Sequence, residues 1–163
     1  MSRYLLDTNI FVEAHRRHYP FDVFPILWER IIDISSRNLI CSIDKVEREI
    51  NTNQDELTQW CSLKLTPDFF KNSSVSIDTY MVIANWTYNH EQYTQEAKDE
   101  FLATDLADSW LVAYAKEKDL VIVTHEISQP QIKRKIKIPE VCEAFEVRYV
   151  NLIQMFREIN EIF

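Results

Sequence analysis

The sequence predicts an α/β fold in three layers, with helices on both faces of a central parallel sheet of about four strands and a helix-rich insertion in the middle. Three observations carry this expectation. Short apolar runs alternate with helical periodicity four times along the chain. Leu120-Val121-Ile122-Val123 is a continuous, largely β-branched run, as a strand covered on both faces requires. Tyr4-Leu5-Leu6 is too short for a helix and stops abruptly on Asp7, so that carboxylate falls where the first strand ends. No internal repeat and no linker interrupts the 163 residues, which read as one domain, 1–163.

After the first strand, apolar and polar residues alternate loosely from Thr8 to Tyr19, up to Pro20. Pro25 suits the first turn of a helix over about 23–36, with Leu27, Trp28, Ile31, Ile32 and Ile34 as its apolar residues. Leu39-Ile40-Cys41-Ser42 reads as a short buried strand, followed directly by a helix over about 44–52 with Asp44 as its cap. Residues 55–65 form a further amphipathic helix, ended by Pro67. From Ser73 to about Leu102 the period is helical, through Ile77, Met81, Ala84, Trp86, Tyr88, Ala97 and Phe101. Thr104-Asp105 opens the next helix, which carries Leu106, Trp110, Leu111, Ala113, Tyr114 and Ala115. Beyond the strand at 120–123, residues 124–138 form a polar, basic loop, and Pro139 starts a short helix. A last strand over 147–150 and a last helix over 152–159 complete the order. Trp28, Trp60, Trp86 and Trp110 sit at helical core spacings and read as packing residues.

Composition removes several functional classes. With 46% hydrophobic and 27% charged residues, the chain has an ordinary globular make-up. No segment approaches the roughly 20 apolar residues of a membrane span. Asp7 and Glu13 interrupt any signal-peptide pattern, so the expected location is cytoplasmic, with no membrane partner. Cys41, Cys61 and Cys142 are odd in number and widely spaced, and they read as buried reduced thiols. The chain contains no glycine, which excludes the glycine-rich phosphate cradles of nucleotide- and dinucleotide-binding folds. Whatever the site does, side chains or a metal must do it. The net charge of −8 disfavours wholesale attraction to nucleic acid, although acids gathered around a metal would contribute to that total.

In open parallel sheets, ligands bind outside the carboxyl ends of the strands. Acids recur at those positions. Asp7 ends the first strand, Glu47 and Glu49 follow the second, Asp105 and Asp108 open the helix before the third, and Glu126 follows the third. Carboxylates forced together repel one another and stay ionised only with a cation among them. An oxygen-only donor set without a His or Cys cluster points to Mg²⁺ or Mn²⁺. Such an ion can activate water and offset charge on a phosphate. Taken singly, each acid has a plainer role. Asp7 suits a helix cap, Asp105 and Asp108 an N-cap with its N3 partner, Glu47 or Glu49 a solvated helix residue, and Glu126 an exposed loop acid. Their coincidence at one edge favours the joint reading.

The string Leu5-Leu6-Asp7-Thr8-Asn9-Ile10, then Val46-x-x-Glu49-Ile50, then Ala107-Asp108 with apolar residues to Ala115, then Val123-Thr124-x-Glu126, resembles a PIN domain in order and approximate spacing. The resemblance runs essentially the whole chain, including Ile138-Pro139-x-Val141-Cys142 and the closing strand and helix. The motifs are short singly and specific in their succession, and the chain looks most like a PIN-like group of this length related to VapC-type ribonuclease toxins. The resemblance implies a doubly wound sheet and a Mg²⁺- or Mn²⁺-dependent endoribonuclease, often the toxin of a toxin–antitoxin pair. It also implies an RNA substrate, an antitoxin protein as partner and a homodimer. Carried over residue by residue, Asp7, Glu49, Asp108 and Glu126 would hold the metal and perform catalysis, while Thr8 or Asn9, and Thr124, would orient them. The fourth acid of the family is usually Asp, so Glu126 departs from the pattern. Glu47 competes with Glu49 for the second place.

Lys133-Arg134-Lys135-x-Lys137 lies just beyond Glu126, where RNA phosphates or plain solvent are the two readings for its charge. Arg16 and Arg17, flanked by His15 and His18, support a weaker version of the same reading. His125 could touch substrate but reads first as an exposed residue. The competing functional reading is a catalytically inactive PIN-like module that serves as a binding or regulatory partner. An aspartate phosphatase or phosphotransferase ranks lower, because those enzymes want an Asp where this chain has Asn9.

Overall fold

The computed structural model describes residues 3–163. Its sheet is built from β1 (Tyr4–Leu6), β2 (Ile40–Ile43), β3 (Phe70–Lys71), β4 (Val121–Val123) and β5 (Tyr149–Val150). All neighbouring pairs are parallel, and the spatial order is β3-β2-β1-β4-β5. Nine α-helices complete the described residues: α1 (Thr8–Glu13), α2 (Pro25–Ser36), α3 (Asp44–Asn51), α4 (Glu56–Lys64), α5 (Ile77–Tyr88), α6 (Gln95–Phe101), α7 (Asp108–Lys118), α8 (Ile138–Phe145) and α9 (Leu152–Glu158). The predicted three-layer α/β architecture is what the chain adopts.

The strand order fixes where a site can form. From β1 the chain steps outward to β2 and β3, then crosses back over β1 to place β4 and β5 on its other side. Crossovers between parallel strands are right-handed, so reversing direction moves the connecting helices to the opposite face. The packing follows that rule: α3 lies against α1 and α4, while α7 lies against α5, α8 and β4. The switch point lies between β1 and β4, whose register pairs Leu5 with Ile122 and Leu6 with Val123. In open parallel sheets a ligand binds outside the carboxyl ends of the strands at such a point, and here those ends carry Asp7 and Thr124-His125-Glu126.

Burial explains why these short strands are stable. Every residue of β1 and β2 is buried, as two-sided coverage demands. In α7 the run Ser109 to Ala115 is buried on all sides, so its low amphipathicity is that of a central helix rather than a surface one. Trp110 stacks on Tyr80 of α5 with ring centroids 4.1 Å apart, and the buried ammonium of Lys45 sits 4.3 Å above the same indole. The three cysteines are free and buried, as expected. No described helix is long and apolar enough to cross a membrane.

The sequence expectation departs from the structure in several places, and Asp44, expected to cap the 44–52 helix, is its first residue behind the N-cap Ile43. β3 was not anticipated, because two half-buried residues carry no periodicity. The helical stretch expected over 73–102 is divided: a 3₁₀ turn at Ser73–Ser76 precedes α5, and α6 starts afresh behind Thr94, whose hydroxyl caps it by accepting from the Ala97 amide at 3.2 Å. The helix expected to open at Thr104-Asp105 begins instead at Asp108, with Ala107 as its N-cap and Asp105 exposed in the preceding turn. A further π-helical turn, Ala14–His18, extends α1.

Without glycine, the chain fills its left-handed positions with polar residues. Asp119 (φ 55°) and Glu146 (φ 57°) end α7 and α8 in that conformation. Each strains a backbone position that glycine would occupy without penalty, at a cost of about 1 kcal/mol.

Candidate active site

Asp7 is placed by the sheet. Its amide donates to the Val123 carbonyl at 3.0 Å, continuing the β1–β4 ladder by one residue before α1 begins. Although it occupies the N-cap position of α1, its side chain makes no capping hydrogen bond. Its carboxylate instead accepts from the Thr124 hydroxyl at 2.8 Å. Thr124 is itself buried, and its amide donates to Val150 at 3.0 Å, tying the end of β4 to β5.

The Thr124 hydroxyl is the hub of this edge. It accepts from the Asn9 amide at 3.3 Å and from the Glu126 backbone N–H at 3.1 Å, so its proton is left for Asp7. Asn9 closes the arrangement by accepting from the His125 N–H at 3.2 Å. Thr124 and Asn9 thus tie the start of α1 to the residues that follow β4.

Two glutamates, one from α3 and one from the loop after β4, are each held at a helix N-terminus. Glu49 of α3 accepts from the Thr8 hydroxyl at 2.6 Å and from the Ala107 amide at 3.2 Å, so it clasps the start of α1 to the start of α7. Glu47, two residues earlier on the same helix, is exposed. The helical step sends it away from the edge, and Glu49 is the acid delivered there. Glu126 reaches across the loop that follows it and accepts from the Ile138 amide at 2.8 Å, at the first residue of α8. Both carboxylates complement the positive ends of the helices they meet.

Asp108, the first residue of α7, completes the group. Burial first, and then Glu126 and Glu49, push its carboxyl up to about 7, against an opposing pull from Lys135. Asp7 is raised well above the ordinary carboxylate range, by burial first and then by Asp108 and Glu126, while Thr124 and the Thr8 amide act the other way. The four acids are thus near enough to feel one another. Among the described residues, none of them has a Lys, Arg or His ion-pair partner within 4.0 Å. Nor does any group of three or more His, Cys, Asp or Glu side chains among the described residues stand close enough to hold a metal ion in this arrangement. The hydrogen bonds explain that spacing: Glu49 and Glu126 are drawn toward the amides of Ala107 and Ile138.

A comparison with known protein families matches residues 4–163 to DUF4411, a domain of unknown function. The chain belongs to this family. Neither a curated protein nor a solved structure matches it.

The basic residues divide into two sets. Lys133, Arg134 and Lys135 are exposed, and Lys135 borders a small cavity of about 50 Å³ with Asp108, Phe101, Leu106 and Ile136. Lys137 is half-buried and turns its ammonium toward the Ile127 carbonyl. Arg16 and Arg17 pair with Asp55 at 3.8 Å and with Glu13 at 3.5 Å, so their charge is met locally rather than at the four acids. The larger cavities lie elsewhere, one of them between the ends of α7 and α8 at the opposite edge of the sheet. Sequence reasoning passed over Ser109, whose buried hydroxyl next to Asp108 has no hydrogen-bond partner. His18, read in the sequence only as a flank of Arg16 and Arg17, has its ring 6.2 Å from the ring of His125.

Proposed function

We propose that the chain is a Mg²⁺- or Mn²⁺-dependent endoribonuclease of PIN type, hydrolysing RNA phosphodiester bonds in the cytoplasm as the toxin of a toxin–antitoxin pair. One observation carries this reading: four carboxylates from four separate elements raise one another at the switch point of a parallel sheet, and among the described residues none of them has an ion-pair partner within 4.0 Å. Acids that raise one another in this way hold a standing electrostatic cost, and a divalent cation relieves it.

The residues present fit such an ion. Every donor is a hard oxygen, as Mg²⁺ and Mn²⁺ prefer. Asp7 and Asp108 are the residues that would hold it, with Glu49 and Glu126 behind them. When bound, the ion would supply Lewis-acid charge for a phosphate and lower the pKa of water. The chain's own contribution is orientation and exclusion. Thr124 fixes the Asp7 oxygen that receives its proton, Glu49 fixes α7 and hence Asp108, and burial of Asp7 keeps bulk water from screening the pair. The sequence resemblance to PIN domains supports the same assignment.

The test is cleavage of a mixed-sequence RNA by the purified protein with Mn²⁺ or Mg²⁺, against chelator, Asp7→Asn and Asp108→Asn. The expected result is metal-dependent cleavage that falls at least about a hundredfold in either variant. Cleavage or cellular toxicity that survives both substitutions would sink the reading. A second reading, an inactive binding or regulatory module, is favoured by the engagement of Glu49 and Glu126 with backbone amides of α7 and α8. That module predicts no cleavage under any metal and a cellular effect indifferent to both substitutions.

A further inference from the structure

We propose that the cavity between α3 and α4 is a binding site for a small alkylammonium compound, its ammonium on Glu47 and its hydrocarbon body against the wall that leads to β3. The site lies apart from the four acids and does not depend on the ribonuclease reading.

The cavity holds about 380 Å³, inside the range of roughly 300–1,000 Å³ that small-molecule sites occupy. Residue spacing builds it. Glu47 and Asn51 stand one turn apart on α3 and share a face. Thr58, Cys61, Ser62 and Leu65 recur at helical spacing along α4 and share another. Pro67 and Phe70, from the turn that leads into β3, close the third side. The helical step that turns Glu47 away from the carboxylate edge is thus what brings it here.

Charge decides the class of ligand. Glu47 is the one charged residue among those lining the cavity. Among the described residues, no Lys, Arg or His comes within 4.0 Å of its carboxylate. A carboxylate presented without a counter-charge selects a cation, through hydrogen bonds about twice as strong as neutral ones. An ammonium carries three donors, and the Asn51 amide and Ser62 hydroxyl offer acceptors besides Glu47. The Thr58 hydroxyl is already spent, since it donates to the Ile50 carbonyl at 3.0 Å.

The remaining wall calls for hydrocarbon. Leu65, Pro67 and the half-buried Phe70 are apolar, and an alkyl chain buries against them where a hard metal ion gains nothing. Cys61 is no thiolate ligand or nucleophile, because burial first, and then Glu47 and Asp55, push its thiol up to about 12. A lysine of a protein partner carries the same ammonium, but its backbone would need a surface to pair with. β3 is the outermost strand and only two residues long, so it offers an incoming chain almost no ladder. A free amine is the better fit.

Titration of ¹⁵N-labelled protein at pH 7, followed through its amide shifts, tests the assignment. The probes are n-pentylamine, pentan-1-ol and Nα-acetyl-lysine methylamide. The expected result is saturable shifts confined to α3, α4 and the turn before β3, with the amine at least about tenfold tighter than the alcohol. Glu47→Gln should weaken the amine at least about tenfold and leave the alcohol unchanged. Ser62→Trp, at an exposed position, should fill the cavity and weaken both. Urea midpoints close to wild type establish that both variants are folded. Amine binding that is unchanged in either variant overturns the proposal, and so does an alcohol that binds as tightly as the amine. Shifts scattered over the acidic surface would also overturn it, as attraction to the net charge of −8 alone. Tighter binding of the blocked lysine than of n-pentylamine would overturn it in favour of a protein partner.

Discussion

The Thr124 hydroxyl donates to the Asp7 carboxylate at 2.8 Å, so the residue that follows β4 holds the residue that follows β1. The bond spans the switch point of the sheet. Because the same oxygen accepts from Asn9 and from the Glu126 amide, one buried hydroxyl sets the direction of three neighbouring groups.

Removing that hydroxyl while keeping its shape should therefore be costly. Thr124→Val leaves a buried carboxylate, an amide and a backbone N–H without their partner, and a buried unsatisfied polar group costs about 1–3 kcal/mol. The urea midpoint of Thr124→Val should fall accordingly, and Thr124→Ser should recover most of the loss. Equal midpoints for Thr124→Val and wild type would mean that the hydroxyl contributes nothing to the edge.

Asp108 makes the metal-free protein sensitive to pH. Its carboxyl titrates at about 7 in the folded chain, because of burial first and then Glu126 and Glu49; in the unfolded chain it returns to about 3.9. The folded state thus keeps a proton that the unfolded state has already released. The associated stability is fully present below about pH 4 and is lost as pH rises through about 7. In chelator, the melting temperature should drop between pH 5 and pH 8, by about 2–4 °C for each kcal/mol. Asp108→Asn should flatten the drop, and Mn²⁺ at pH 8 should raise the melting temperature of wild type but not of this variant. A flat wild-type profile would remove Asp108 from any coupled site.

Much of this edge could be read before the fold was known, for a physical reason. Strand ends are marked in the sequence wherever a buried apolar run stops on a polar residue, as at Leu6-Asp7 and Val123-Thr124. The acids on those ends were legible for that reason. Glu49 could not be separated from Glu47 by pattern, because the choice depends on where α3 sits against α1 and α7, a tertiary fact. The start of α7 was misplaced because Thr104-Asp105 has the residue types of a cap, yet the Glu49 carboxylate from another helix binds the Ala107 amide and fixes the start near Asp108. β3 and the His18–His125 approach come entirely from long-range packing, which leaves no local mark in the chain.

The two candidate glutamates of α3 separate by stability alone. Glu49 accepts two hydrogen bonds and meets the positive end of α7, whereas Glu47 is exposed. Glu49→Gln would turn an amide donor toward donors that already expect an acceptor. It should cost about 1–3 kcal/mol in urea denaturation. Glu47→Gln should stay within about 0.5 kcal/mol of wild type. Equal effects from the two substitutions would contradict the assignment of Glu49 to the edge.

At the far edge of the sheet, Glu158 makes a pH test independent of the carboxylate site. The Arg148 guanidinium first, and then the Tyr4 hydroxyl, hold its carboxyl down to about 2. Tyr4 donates to it at 2.6 Å and Arg148 at 2.9 Å, which joins β1, the residue before β5, and α9. The unfolded value is about 4.3. Because the folded value is the lower one, the stabilisation is present above about pH 4.3 and is lost as pH falls through about 2. Arg148 is about half exposed, so solvent screens the pair and the contribution should be on the order of 1 kcal/mol. Glu158→Gln should lower the urea midpoint at pH 7 and match wild type by pH 2. A deficit of constant size at both pH values would trace the effect to lost packing of α9 rather than to the charge.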